Sequence, residues 1–414
     1  VEVMNASKKI DILTRVEGHG RVELVRQGER VVSARLNLFE SPRLFEALLV
    51  GKHYEEVAAI ACRICSICST VHKVAALQAV EQALTVQVSP QTGLLRQLAV
   101  QGGQIESHAL HIFCLALPDY LGVAGFPALA TAAPEKLQLG LRIKALGNLI
   151  QETVGGRAIH PFNLLLGGLG KVPPADQLER LAEQLASVHD EIRAVIAYIS
   201  GLTEELPALP TLPPLAVSGE PPLFGDGLVT SGGATIPAAA AASWLHEQIE
   251  LHSNAKVSRF DGTSLFFVGP LARLQLAMPS EFKEWLAGAP ISASLLARAV
   301  ELHSAVVRAT AIICQLLDAG LSPEARLQIA PAAGEGVALI EAPRGALLHS
   351  YRFDDSGICT AATIITPTAI NQAAIATSLN ALITAMDGAS YEQIKSSCER
   401  LVRCFDPCIS CAVH

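Results

Sequence analysis

Aromatic residues are scarce in this chain: among 414 residues there are 12 Phe, 5 Tyr and 2 Trp, with only 3 Met. Charge is scarce as well, at 17% of residues, against about 25% in an average globular domain. There is no excess of positive charge, since 31 Lys and Arg face 39 Asp and Glu for a formal net charge of −8. That balance excludes a broad basic face for nucleic acid and argues against polyanionic partners. Half of the residues are hydrophobic, which excludes disorder and a collagen-like fibre. With few aromatics, the abundant Ala and Leu must build the core, a mixture that suits helices packed closely on helices. So few charges leave an apolar surface, part of which is expected to be buried against another protein. No internal repeat is visible. The N-terminus runs straight into a charged, alternating segment, with no signal peptide in view.

At roughly 150 residues per domain, the length allows two to three domains or one large core. Alternating residues predict strands over Asp11–Val16, Arg21–Arg26 and Arg30–Leu38, with Arg15, Glu17 and His19 sharing one face. Ser41-Pro42 reads as a helix start, with Leu44, Leu48 and Leu49 as its apolar stripe. Helices are expected from Cys65 to about Val86 and from about Thr92 to Leu117. Helical periodicity returns at 135–154, 175–202, 236–252, 278–289, 292–319, 367–386 and 389–403. A Pro- and Gly-rich excursion runs from Glu205 to Pro237, and a second β patch covers Ala342 to Tyr351 and Gly357 to Ile365. The uncharged stretch Ser356 to Met386 is long enough to span a bilayer. It carries Pro367, Asn371, Gln372 and Asn380, and is read as buried in protein. The expected fold class is mainly α with small β parts. Residues 1–40 form a β segment, 41–204 a helical core, 205–240 the excursion and 241–414 a further helical part, all in one integrated domain.

The ten cysteines are Cys62, Cys65, Cys68, Cys114, Cys314, Cys359, Cys398, Cys404, Cys408 and Cys411. They cluster at two places instead of spreading as a disulfide framework, so they read as reduced thiols, some of them metal ligands. Two Cys-x-x-Cys pairs stand out, Cys65-Ser-Ile-Cys68 and Cys408-Ile-Ser-Cys411. A helix N-terminus and a nearby cation, Arg63 for the first pair, favour thiolate. Four thiolates suffice for one tetrahedral soft-ligand site. Spacing alone leaves a structural zinc site, an iron–sulfur cluster and a redox dithiol all open.

The flanking residues carry more. Arg15-Val-Glu-Gly-His-Gly20, Arg63-Ile-Cys-Ser-Ile-Cys-Ser-Thr-Val-His72, Glu341-Ala-Pro-Arg-Gly345 and Asp406-Pro-Cys-Ile-Ser-Cys-Ala-Val-His414 occur in this order. Together they closely resemble the large, catalytic subunit of nickel–iron hydrogenases. Ser107-His-Ala-Leu-His111 followed by Leu117-Pro-Asp119 looks like the motif of the soluble, cofactor-coupled members. The resemblance is specific at both ends of the chain and thin between about 120 and 335.

The resemblance implies the long-helix fold of that family and reversible heterolytic cleavage of H2 at a nickel–iron centre. Cys65 and Cys408 would be terminal nickel ligands, and Cys68 and Cys411 would bridge nickel to an iron carrying carbonyl and cyanide. Cys408 would take the first proton and Glu17 the next, since a sheltered carboxylate can be tuned toward neutrality. Arg344 would hold a fixed cation over the open metal face, paired with Asp406; a plain buried ion pair is the bland alternative. Pro367 and Thr368 match the segment that contacts the diatomic ligands. His72, one turn after Cys68, would donate to that sulfur. Glu46 and His414, with a backbone carbonyl around Ile364, match a second site for magnesium or a similar ion.

Implied partners are an iron–sulfur small subunit, further flavin or iron–sulfur electron-transfer subunits, a maturation chaperone, and an endopeptidase that cuts after the residue matching His414. The expected docking face is apolar, near the Cys65 helix and the N-terminal β segment. The expected location is the cytoplasm, with no transmembrane segment. Three positions depart from the family pattern: Ser66 replaces a usual glycine, Ser107 stands where many members place an aspartate, and Cys62 is an added thiol. Two other readings compete, a metal-free subunit related to the quinone-site subunit of respiratory complex I and a zinc-stabilised scaffold. The first lineage has generally lost the four cysteines present here.

Overall fold

The computed structural model describes residues 6–202, 206–207, 209–219, 223–260, 265–276 and 286–414. Strands β1 (Ala6–Ile12), β2 (Gly20–Gln27) and β3 (Arg30–Leu38) form an antiparallel sheet with β2 in the middle. Val22 and Leu24 on β2 and Ala34, Leu36 and Leu38 on β3 are buried on one face, and on the other the buried Asn37 donates to the buried Glu23 at 2.8 Å. The first strand stops at Ile12, short of the expected Val16. Arg15 has φ 60° and Gly18 φ 80°, values that no strand accommodates. Arg15, Glu17 and His19 therefore point three ways: Arg15 to Asp119, Glu17 to Ser410, and His19 to solvent. Gly18 is required at this turn, because a Cβ would lie 2.7 Å from the Cβ of Ile409.

The helix expected from Ser41-Pro42 is a single turn, Phe45–Leu49, entered through Leu44 in the left-handed region. Leu44 and Leu48 are exposed and Phe45 and Leu49 buried, so the stripe differs from the expected one. The short helix Tyr54–Ala61 follows, closed by a reciprocal His53–Glu56 cap.

Among the described residues, seven long helices then carry the fold. They are α1 (Ser69–Ala83), α2 (Pro90–Leu110), α3 (Pro134–Gly155), α4 (Ala175–Ser200), α5 (Ser294–Ala319), α6 (Pro367–Ala385) and α7 (Tyr391–Phe405). Ser89 caps α2 by accepting from the Thr92 amide at 3.0 Å, with Pro90 at the first helical position. The chain widens into a π-type turn over His111–Ala116 before Leu117–Tyr120 resumes the helix. On α4, Leu178, Leu181, Leu185, Val188, Ile192 and Val195 recur every three or four residues and are all buried. Helix α2 lies between α3 and α5, and α4 covers α5. The stretch Ile291–Ala319 is long and apolar enough to cross a membrane. Yet α5 places Arg298 against Asp406 and Glu301 against Arg273 within the protein, charges that lipid would not stabilise.

The helix expected over 236–252 ends at Trp244, after which Leu245–Ile249 pairs with Lys256–Phe260 as a two-stranded ribbon. The run of alanines supports helix, but cross-strand pairing overrides local preference beyond it. Most of the helix expected at 278–289 falls outside the described residues. The excursion holds a small sheet of Leu215–Ser218, Gly227–Thr230 and Thr235–Pro237. The second β patch is a meander of β4 (Gly334–Ala342), β5 (Gly345–Phe353) and β6 (Cys359–Ile365). The expected strand from Ala342 to Tyr351 thus starts after a hairpin turn at Pro343-Arg344, which places Arg344 at its tip. Gly345 takes φ 133° there, and a Cβ would approach Val268 to 2.5 Å. The uncharged stretch from Ser356 becomes β6 and the largely buried α6.

Candidate metal centre

The Cys65 backbone is extended, with φ −142°, and Cys68 is the residue that opens α1. This change of direction turns both sulfurs to one side. Cys408 likewise opens the short helix Ile409–Ala412, which contains Cys411. The sulfur of Cys65 is 3.5 Å from that of Cys408, and Cys68 is 3.3 Å from Cys411. Cys408 and Cys411 are 2.8 Å apart, and all four sulfurs lie within 4.8 Å of one another. All four residues are buried.

Two sets of contacts bring these distant segments together. Glu17 and Cys408 form a parallel β-bridge, with the Ile409 amide donating to the Glu17 carbonyl at 3.1 Å. Arg43 donates from Nη2 to the Ile64 carbonyl at 2.5 Å and also to the Ser410 carbonyl. Arg43 ties the first cysteine loop to the second, a role that its sequence context does not signal. Below them, Asp119 accepts from Arg15 at 2.5 Å and from Arg403 at 2.6 Å, anchoring the Arg15–Gly20 turn to α7.

Four thiols this close cannot all ionise unaided. Hydrogen bonds from Cys408, Cys411 and Cys68 pull the Cys65 thiol well below its ordinary pKa. Burial holds Cys408 and Cys411 well above theirs. A soft cation relieves this conflict, and the buried four-sulfur set fits one.

Cys68, Cys408 and Cys411 line a cavity of about 10 Å³ together with His72, Pro343, Arg344, Leu347, Pro367 and Thr368. Arg344 donates from Nε to the Asp406 carbonyl at 2.9 Å and from Nη2 to its carboxylate at 3.2 Å. Its Nη1 is buried without a hydrogen-bond partner among the described residues, as expected where a small ligand is to be met. Burial acts against the Asp406 charge, but Arg344, His111 and Arg298 outweigh it and bring the carboxyl down to about 2. Arg298 Nη1 stands 3.2 Å from the second Asp406 oxygen. That second guanidinium lies in the part of the chain where the sequence motifs are silent.

Thr368 Oγ1 accepts from the Cys408 amide at 2.9 Å, which leaves its hydroxyl proton free for the cavity. His72 Nε2 lies 3.6 Å from the sulfur of Cys411, not against Cys68 as the helical spacing suggested. The half-buried Glu17 carboxylate accepts from both the amide (3.1 Å) and the hydroxyl (2.5 Å) of Ser410. Ser410 Oγ is in turn 3.9 Å from Cys408 Sγ. Ser410 was not singled out from the sequence, although it sits inside the second cysteine pair.

Glu46 and His414 lie side by side, with His414 Nε2 at 3.9 Å from a Glu46 oxygen. Ile364 contributes its amide, which donates to Glu46 at 2.8 Å, where its carbonyl had been expected to serve an ion. Lys256 binds both Glu46 and Glu247 at 2.8 Å. Burial opposes the Glu46 charge, yet the neighbouring His414 and the hydrogen bonds from Lys256 and the Ile364 amide take its carboxyl to about 2. His414 Nε2 and Glu247 Oε1 are buried without hydrogen-bond partners among the described residues. Two orphaned atoms beside an ionised carboxylate fit a hydrated divalent cation.

Comparison with known proteins agrees with this geometry. Residues 43–142 and 245–414 match the nickel-dependent hydrogenase family. Sulfhydrogenase 2 subunit alpha of Pyrococcus furiosus is 36% identical over 418 residues, covering 98% of each chain. Sulfhydrogenase 1 subunit alpha of the same organism is 34% identical, covering 98% of this chain and 97% of its own. The crystal structure of an NAD+-reducing NiFe-hydrogenase in the H2-reduced state superposes with a TM-score of 0.89 at 27% identity, covering 99% of this chain and 100% of that one. This chain therefore belongs to the nickel-dependent hydrogenases, as a large subunit of an oxidoreductase acting on H2.

Proposed function

We propose that this chain cleaves H2 heterolytically and reversibly at a nickel–iron pair held by Cys65, Cys68, Cys408 and Cys411, the iron carrying carbonyl and cyanide. The observation that carries this reading is the convergence of four buried sulfurs within 4.8 Å beneath the unpaired Nη1 of Arg344. When bound, the metal pair supplies the centre that polarises H2 and accepts its electrons. Arg344 holds a permanent positive charge over the cavity, because guanidinium does not readily deprotonate. Asp406 fixes the orientation of that charge through the two hydrogen bonds above. Cys408 takes the proton, Ser410 passes it on, and Glu17 receives it at the half-buried edge of the site. Pro367 would form the apolar wall of the ligand pocket, and the Thr368 hydroxyl would donate a hydrogen bond to a cyanide nitrogen.

Glu46 and His414, with the backbone near Ile364, hold magnesium or a similar ion that braces the C-terminal residues around Cys411. Electrons leave through an iron–sulfur small subunit and then through flavin or iron–sulfur subunits to a soluble carrier. Ile159 and Phe162 are 46% and 61% exposed, in a loop whose His160 amide donates to Ser69 Oγ beside Cys68. That apolar surface next to the metal ligands supports docking of the small subunit there. A chaperone and an endopeptidase serve its maturation. Ten free cysteines suit a reducing compartment, the cytoplasm.

Elemental and infrared analysis of the matured enzyme tests the reading. Nickel and iron in equal amounts, with bands of metal-bound carbonyl and cyanide, are expected, and Cys408→Ala loses nickel together with H2 turnover. Zinc alone would establish a scaffold, and no metal in a fully processed chain would establish a structural subunit.

A further inference from the structure

Behind the metal centre, away from Glu17, a second line of polar groups runs into the protein. His72 presents Nε2 to the Cys411 sulfur at 3.6 Å, and its Nδ1 lies 3.0 Å from Nε2 of His349. Nδ1 of His349 lies 2.5 Å from the Tyr351 hydroxyl. His72, His349 and Tyr351 are each at most 1% exposed. His72 comes from α1 and the other two from alternate positions of β5, so both of those side chains leave the same face of the sheet.

We infer that Tyr351 is a positioning residue. Acting through His349, its hydroxyl fixes His72 in the tautomer that donates an N–H to the Cys411 sulfur. The inference rests on the nickel–iron reading. A metal-bound thiolate carries no proton, so only a donor can face it favourably. A neutral imidazole has one donor nitrogen and one acceptor nitrogen. If His72 donates from Nε2, its Nδ1 must accept, and His349 must then donate from Nε2. His349 Nδ1 is then an acceptor, and the group opposite it must be a donor. The Tyr351 hydroxyl supplies that donor. The reverse order would aim a lone pair of His72 at the sulfur. Both rings are buried away from water, where uncharged imidazoles that exchange single hydrogen bonds fit this geometry. Burial likewise keeps the phenol protonated. The chain of polarity therefore begins at Tyr351 and ends at the metal ligand.

The test is Tyr351→Phe in the assembled, matured enzyme, read by the infrared bands of the iron-bound carbonyl and cyanide. Loss of the terminal donor frees His349 and His72 to take the other tautomer. The Cys411 sulfur then donates more charge to iron, and the bands move to lower wavenumber while nickel content stays the same. Bands at wild-type positions in a nickel-loaded Tyr351→Phe enzyme overturn the inference. If Tyr351→Phe fails to load nickel, His349 decides. His349→Gln can still accept from Tyr351 and donate to His72, so its bands stay near wild type, whereas those of His349→Leu shift. Equal bands in those two variants overturn the inference. Absence of carbonyl and cyanide bands from the wild-type enzyme is a different result, and refutes the nickel–iron reading itself.

Discussion

Glu17 and Ser410, from opposite ends of the chain, hold each other by two hydrogen bonds, amide to carboxylate at 3.1 Å and hydroxyl to carboxylate at 2.5 Å. The hydroxyl also lies 3.9 Å from the Cys408 sulfur. Glu17→Gln keeps the shape and removes the proton site, so it is expected to lower kcat for H2 oxidation about 100-fold or more. Ser410→Ala is expected to cost on the order of tenfold, because a water can bridge the gap. Both variants should retain nickel. Steady-state H2 oxidation beside metal analysis checks this, and full activity in Glu17→Gln would remove the carboxylate from the proton route.

Arg344→Lys preserves charge but not the fork that engages both the carbonyl and the carboxylate of Asp406. The ammonium would sit away from the cavity. A fall in kcat of about 100-fold is expected, with nickel and iron content unchanged. A variant as active as wild type would reduce Arg344 to a structural ion pair.

Glu46→Gln weakens the second cation site by removing its charged ligand. Magnesium, or the ion that takes its place, is expected to be lost on dialysis, with unfolding stability down by about 2–4 kcal/mol. Elemental analysis and denaturant unfolding check this. Retention of the ion in the variant would refute the assignment.

Acid sensitivity follows from the buried cluster on α5. Burial disfavours the Glu301 charge, but Arg273 and His108 overcome it and hold the carboxyl well below its ordinary range. The folded state thus binds this proton more weakly than the unfolded state. The stability it contributes is fully present above about pH 4.3 and fades as pH falls further. Glu341 shares Arg273 but is raised by burial, so it acts in the opposite sense. Glu301→Gln is expected to lose about 3 kcal/mol or more near pH 7. It should also show a flatter decline between pH 5 and 3 than wild type. Urea unfolding across that range measures it, and parallel curves would show that Glu301 is not the group titrating.

The long helices were legible because their apolar residues recur at helical spacing, as in Leu178 to Val195 on α4. The strand expected to run on to Val16, with Arg15, Glu17 and His19 on one face, overshoots because those residues alternate. The Arg15 to Gly20 backbone reverses to let Gly18 pass beneath Ile409, a contact with residues nearly four hundred positions away. The hairpin tip at Arg344 was hidden for a related reason. Apolar runs lie on both sides of it, and only Pro343 and Gly345 signal a turn between them.

By itself the sequence determined the chemical inventory: four cysteines in two pairs, Glu17, Arg344, Asp406 and the terminal histidine, each within a short motif whose residue types limit the metal chemistry. Tertiary structure alone decided their partners. It set His72 against Cys411 instead of Cys68, placed Ser410 between Cys408 and Glu17, brought Arg298 to Asp406, and aligned His349 and Tyr351 behind the metal ligands. Spacing along one helix or strand fixes only which residues can share a face. Which atom each side chain meets depends on how separate elements pack, and these partners come from elements hundreds of residues apart.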